Sequence, residues 1–263
     1  MVTVSDILAF LQTIAPEEMK EDWDNVGLNC GRMDRAVRKI LVALDPFEDV
    51  CREAAEIGAD LLVTHHALIW TPGFVTDTDP QGRNTLFLIE HNIACINAHT
   101  NLDCAPGGVN DILANRLGLD NVQVLAPRGT DAQGRPWGLL RQGAVKQQPL
   151  ADFLSTVKEK LGCEGLRYVD GGKSVHRVAV GGGACGSELL EAAKTGCDTF
   201  VTADVKYNQF WDAKHYNINL IDAGHFHTEN PVCAYLAQQL KQAFPEITVA
   251  MSTRHKDCAK FFQ

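Results

Sequence analysis

Residues 53–66 read Glu53-Ala54-Ala55-Glu56-Ile57-Gly58-Ala59-Asp60-Leu61-Leu62-Val63-Thr64-His65-His66. Residues 191–204 read Glu191-Ala192-Ala193-Lys194-Thr195-Gly196-Cys197-Asp198-Thr199-Phe200-Val201-Thr202-Ala203-Asp204. Seven of the fourteen aligned positions are identical without a gap. Each stretch has the pattern of a helix end, a glycine stop and a short buried strand. Another strand precedes each, at Lys39-Ile40-Leu41-Val42-Ala43-Leu44 and at Arg177-Val178-Ala179-Val180. A third follows each, where Asn92-Ile93-Ala94-Cys95-Ile96-Asn97-Ala98 echoes Asn217-Ile218-Asn219-Leu220-Ile221-Asp222-Ala223.

This alternation predicts an α/β fold of two interwoven, duplicated β-α-β-α-β halves with mostly parallel sheets. The halves are predicted over 1–125 and 176–263. Between them, 126–175 reads as a small α+β middle segment that packs rather than catalyses. It has a turn-rich start, a strand from Gly138 to Val145, a helix from Pro149 to Leu161 and a strand near Leu166–Val169.

Four predicted strands end in polar signatures. One runs into His65-His66. A second runs into His99 and on to Asp103. A third ends at Asp204, and the fourth leads through His225 to Glu229. In open α/β sheets, ligands bind beyond the carboxyl ends of the strands. Imidazole and carboxylate collected there are the donors of zinc, iron or manganese. The pattern therefore predicts a dinuclear metal site fed unequally by the two halves. Adjacent residues on a regular strand face opposite ways. For His65 and His66 both to bind metal, the chain must leave strand geometry there or the two must face different ions.

Other residues have weaker signals. His99, on a strand exit, fits an acid/base group or a hydrogen-bond partner of a ligand, and His227 fits the same roles less well. Glu229 precedes Asn230-Pro231, so it is expected near a helix start with Thr228 as N-cap. Gly181-Gly182-Gly183 fits either an anion-binding turn or a tight strand-to-helix turn. It matches neither a dinucleotide nor a Walker loop. His91, His176, His215 and His255 fit surface or structural positions.

The net charge of −9 argues against binding a nucleic-acid backbone. Nine cysteines without a C-x-x-C pair predict buried, reduced thiols. With no apolar run of about 18 residues and no basic, apolar leader, the sequence predicts a cytoplasmic protein.

Several motifs occur in order: Trp23-Asp24-Asn25-Val26-Gly27-Leu28, Val63-Thr64-His65-His66, Asn97-Ala98-His99-Thr100-Asn101-Leu102-Asp103, the triple glycine, Thr202-Ala203-Asp204-Val205-Lys206-Tyr207, and Gly224-His225 with Thr228-Glu229. Together they resemble the GTP cyclohydrolase 1 type 2 homologues, the Nif-three-like family, in its short form. The resemblance implies a toroidal homohexamer and two divalent metal ions per chain. Position by position, it implies His65, His66, Asp103, His225 and Glu229 as ligands. Glu229 would bridge, His66 and Asp103 would favour one ion, and His65 and His225 the other. Many members carry histidine at Asn208 and glycine at Ala203. These departures leave the roles of Asp204, Lys206 and Tyr207 open.

Two functions follow as expectations. One is a metal-dependent hydrolase of a nucleotide-like or small phosphorylated molecule, GTP cyclohydrolase-like by resemblance. The other is a non-catalytic metal-binding scaffold, carrier or regulatory protein.

Overall fold

The computed structural model of the chain describes residues 1–262. It begins with α1 (Val4–Ile14), whose N-terminus is closed by a reciprocal Thr3–Asp6 capping box. There follow β1 (Gly27–Cys30), β2 (Lys39–Ala43), α2 (Glu48–Glu56), β3 (Leu61–Thr64), α3 (Pro80–Glu90) and β4 (Ala94–Asn97). Next come α4 (Thr100–Cys104), α5 (Val109–Arg116), β5 (Asp120–Leu125), a small hairpin of β6 (Gly129–Thr130) and β7 (Pro136–Trp137), β8 (Leu140–Gln148), α6 (Leu150–Leu161) and β9 (Arg167–Val169). The remainder is β10 (Val175–Val180), α7 (Leu189–Lys194), β11 (Thr199–Thr202), α8 (Tyr207–His215), β12 (Asn219–Asp222), α9 (His225–Glu229), α10 (Pro231–Ala243) and β13 (Thr248–Met251).

Contacts divide the chain into two compact units, which do not follow the boundaries of the sequence halves. The first contains Met1–Leu102 and Val232–Lys256; the second contains Asp103–Pro231 and Asp257–Gln263. The first unit returns late in the chain because β13 pairs in parallel with β2, Thr248 opposite Lys39.

The first unit holds a five-stranded sheet of order β1-β4-β3-β2-β13. Its strands are parallel except β1, which runs antiparallel along one edge. On one face, Leu41, Leu62 and Cys95 pack with Val50 and Ala54 of α2 and Leu88 of α3. The second unit holds a six-stranded sheet of order β5-β8-β10-β11-β12-β9. Here β10, β11 and β12 are parallel, and antiparallel strands flank them on both sides. Two of the flanking strands, β8 and β9, come from the predicted middle segment, so that segment widens the sheet.

Side chains alternate across the parallel strands as their two-residue period requires. Val178, Val180, Val201 and Ile221 face a cluster with Phe153 and Val157 of α6. Ala179, Phe200 and Leu220 face the opposite cluster with Leu189 and Ala192 of α7. On α6, Phe153, Val157 and Leu161 recur at four-residue spacing and are buried, and Gly162 closes the helix in the left-handed region at φ 70°.

The polar identities of the repeat have structural work in both units. Asp60 accepts the N–H groups of Arg38 and Lys39, where β2 begins. Asp198 accepts those of His176 and Arg177 at the start of β10. Gly58 and Gly196, at φ +66° and +80°, turn the chain from helix into strand. The duplication therefore reproduces one β-α-β joint twice, with both strands after the glycine wholly buried.

Candidate metal centre

In the first unit, β3 stops at Thr64, and the chain bends at its two histidines. The Thr64 hydroxyl donates to the His66 carbonyl, and the His66 N–H donates to the Leu44 carbonyl. This departure from strand geometry places the His65 and His66 rings side by side, with centroids 5.0 Å apart. His99 joins them from beyond β4. One ligand atom from each of the three lies within 4.8 Å of the others, and all three residues are buried.

Each ring is held through Nδ1. His65 Nδ1 donates to the Ala98 carbonyl at 2.8 Å. His66 Nδ1 donates to Asp45 Oδ1 at 2.6 Å, and His99 Nδ1 donates to Asp24 Oδ2 at 3.0 Å. A carbonyl or carboxylate oxygen only accepts, so each Nδ1 carries the proton. When such a ring is neutral its lone pair is on Nε2, the arrangement of a metal-binding histidine. Burial pushes the Asp24 carboxyl up, but the hydrogen bond and charge of His99 and the Thr100 donors outweigh it and hold it at about 2. Asp45 is likewise held well below the carboxylate range. Burial opposes this, and His255 and His66 overcome it.

In the second unit, α9 is a single turn that stacks His225 and Glu229 at i and i+4. His225 Nε2 lies 2.9 Å from Glu229 Oε2. Nδ1 of the same ring donates to Asp204 Oδ2 at 2.7 Å, so both ring nitrogens of His225 face carboxylates. Asp103, on α4, puts a carboxylate oxygen within 4.8 Å of one from Glu229, and both residues are buried. Two buried carboxylates so close repel one another unless a proton or cation lies between them. The Asp103 end of α4 is fixed by Arg141, which is fully buried and donates to the Cys104 and Ala105 carbonyls.

The triple glycine is a tight turn built against this carboxylate. A Cβ at Gly183 would fall 2.0 Å from Glu229 Oε1 and 3.1 Å from His225 Nε2. The Gly182 N–H donates to Asn110 and the Gly183 N–H to Thr228, which commits both donors to the protein itself. Thr228 is not a helix cap. Its hydroxyl donates within α9 to Gly224 and His225, and Glu229 ends that helix rather than beginning the next.

Each unit's donors suit a divalent ion: the three imidazoles of the first, and the buried carboxylate pair of the second, whose charge a cation would offset. His227 lies outside these groups, with Nδ1 on the Leu161 carbonyl. Sequence reasoning passed over Asp24, Asp45 and Arg141, and left Asp204 open. The signal for Asp45 was its place directly after a parallel strand, as for His65. His255, read as surface or structural, is buried against Asp45.

Two tryptophans stand beside His99. Trp70 meets its ring edge-on at 5.0 Å and Trp23 at 5.9 Å, and they are 43% and 65% exposed. No helix among the described residues is long and apolar enough to cross a membrane.

Residues 2–258 match the family model for Duf34/NIF3, NGG1p interacting factor 3. A Clostridium perfringens protein named a GTP cyclohydrolase 1 type 2 homolog is 32% identical over 261 residues, covering 98% of this chain and 99% of that one. A Streptomyces coelicolor protein of the same name is 36% identical over 249 residues, covering 92% and 87%. A crystal structure of a Staphylococcus aureus protein superposes with a TM-score of 0.91 at 28% identity, over 99% of each chain. A Bacillus cereus protein related to NIF3 shares the fold at a TM-score of 0.92 and 24% identity, over 100% of this chain and 99% of that one.

Proposed function

From membership of the DUF34/NIF3 family, to which this chain belongs, we propose that it is a metal-dependent hydrolase with two divalent ions per chain. By the family resemblance His65, His66, Asp103, His225 and Glu229 would hold them, with Glu229 as the shared carboxylate. The observation that carries this reading is the gathering of metal-type donors: His65, His66 and His99, each with Nδ1 bonded to a carbonyl or carboxylate, offer ligand atoms within 4.8 Å of one another, and the buried Asp103 and Glu229 bring carboxylate oxygens equally close. Five imidazole and carboxylate ligands exceed the needs of one open four-coordinate zinc and suit two ions sharing a carboxylate.

Bound there, divalent cations supply Lewis acidity and lower the pKa of a coordinated water. The chain's own residues do the rest. His99, oriented by Asp24, presents Nε2 to accept or return a proton. Trp23 and Trp70 offer faces against which a planar ring can stack, which supports a nucleotide-like substrate over a compact phosphoester. The relatives' name points to hydrolytic opening of the guanine ring of GTP as the first reaction to test. The working form is a cytoplasmic homohexamer, by resemblance to the family.

The deciding experiment loads the purified protein with zinc, iron or manganese and screens it against nucleotides and phosphoesters. Formate and phosphate release are measured separately. Metal-dependent turnover of a nucleotide is expected. A fully loaded protein inert across the panel would favour a non-catalytic scaffold or metal carrier.

A further inference from the structure

Asp45 bonds on both sides of its carboxylate. Oδ1 accepts Nδ1–H of His66 at 2.6 Å, and Oδ2 lies 2.9 Å from His255 Nε2. A carboxylate that has only acceptors fixes His255 Nε2 as the donor. His255 comes from the segment that follows β13, almost two hundred residues from His66 in sequence. Its own seat is built in layers. The His255 N–H donates to Ser252 Oγ, and Phe47 stacks on the ring at 6.1 Å. Ser252 and Thr253 are tied to Glu53 of α2 through their hydroxyls and the Thr253 N–H.

We propose that His255 is a positioning residue for metal binding. It clamps Asp45, and Asp45 orients the His66 ring, so the His255–Asp45 hydrogen bond sets the affinity of the ion held by His66. The inference rests on the reading of His66 as a ligand. The physical basis is rotational. Asp45 with one partner can turn about its side chain and still satisfy one oxygen. With His255 on the second oxygen, the carboxylate plane is fixed, and with it the direction of the His66 Nε2 lone pair. Partners one step removed from a metal ligand commonly change affinity by roughly 10–100-fold when lost.

The test uses the full chain, with zinc as the probe. In His255→Ala, one of the two zinc ions is expected to bind roughly 10–100-fold more weakly while the other is unchanged. His255→Gln keeps an N–H donor near the Nε2 position and should recover most of the loss. Thr253→Ala removes one hydroxyl bond to Glu53 while the Thr253 N–H and Ser252 still hold the segment and His255. It should lower thermal stability yet leave both zinc affinities intact. In the metal-free protein, the Nδ1 proton of His66 should be slowly exchanging by NMR in the wild type and fast in His255→Ala. Unchanged zinc affinity and an unchanged Nδ1 proton in His255→Ala would overturn the proposal, as would equal zinc loss in Thr253→Ala. A wild type that binds no zinc, iron or manganese would instead defeat the metal reading itself, and this inference with it.

Discussion

Gly183 stands so close to Glu229 that a methyl group on its Cα would occupy the place of the carboxylate, 2.0 Å from Oε1. Its φ of +63° also lies where L side chains are strained. Gly183→Ala should therefore do two separable things. It should destabilise the fold by about 1 kcal/mol or more through the backbone, and it should displace Glu229 and lower metal content. Gly172→Ala is the control, because Gly172 has φ +76° and nothing within 4 Å of its would-be Cβ. Thermal melts should show comparable losses for both, and elemental analysis should show a metal deficit only in Gly183→Ala.

Glu229→Gln should lose more metal than His99→Ala. The Glu229 carboxylate is buried, within 4.8 Å of a second carboxylate oxygen from Asp103, and the charge it offers a cation disappears in the amide. His99 is assigned to proton transfer, so its removal should spare occupancy and reduce turnover. Metal content measured on both folded variants decides the assignment. Equal losses would make His99 a ligand in its own right.

The two donor clusters were legible in the sequence because in each unit polar residues follow the carboxyl ends of the parallel strands, and the repeat gave those strands their register. His65, His66, His99, Asp103, Asp204, His225 and Glu229 all follow such ends. Residues placed by long-range packing were not legible. Ser252-Thr253-Arg254-His255 reads as a polar exit from a strand, and its seat depends on hydrogen bonds to Glu53 of α2. The two units escaped the sequence for a related reason. The repeat reports local β-α-β joints, whereas the pairing of β13 with β2 joins residues two hundred apart. Thr228 was misread because an N-cap signal and a one-turn helix share the same letters before a proline.

Asp24 should make stability depend on acid in the metal-chelated protein. Its carboxyl falls from an ordinary 3.8 to about 2, so the folded state binds its proton more weakly than the unfolded chain does. The resulting stabilisation is complete above the unfolded value and disappears as pH falls through about 2. The displacement is worth about 2 kcal/mol. Asp24→Asn should be less stable than wild type by about that amount at pH 7, and the gap should close between pH 4 and pH 2. A gap independent of pH in denaturant titrations would mean that the carboxylate charge is not what holds His99.

Trp23→Ala and Trp70→Ala should raise KM for a planar-ring substrate with little change in kcat. Stacking of a ring on an aromatic side chain contributes about 1–3 kcal/mol, so a rise of roughly tenfold per tryptophan is expected. Metal content should be unaffected, since neither indole offers a ligand. Unchanged KM in both variants would move the substrate away from His99.

Hydrolysis should run without a cysteine nucleophile. Cys104 follows Asp103 directly, which makes it the thiol to test, but its side chain is buried. Cys185 is buried as well, and burial, followed by the charges of Asp103 and Glu229, pushes its thiol well above the ordinary range. A thiolate there would add a third negative charge to a buried acidic pair, the opposite of what activates a cysteine. The same charges favour a cation, so chelation should abolish turnover of the substrate found by the panel. Cys104→Ala and Cys185→Ala should each stay within about tenfold of wild type, a barrier change of at most roughly 1.4 kcal/mol. A covalent adduct trapped on either sulfur, with turnover lost in that alanine variant at full metal occupancy, would establish thiol catalysis in place of the metal mechanism.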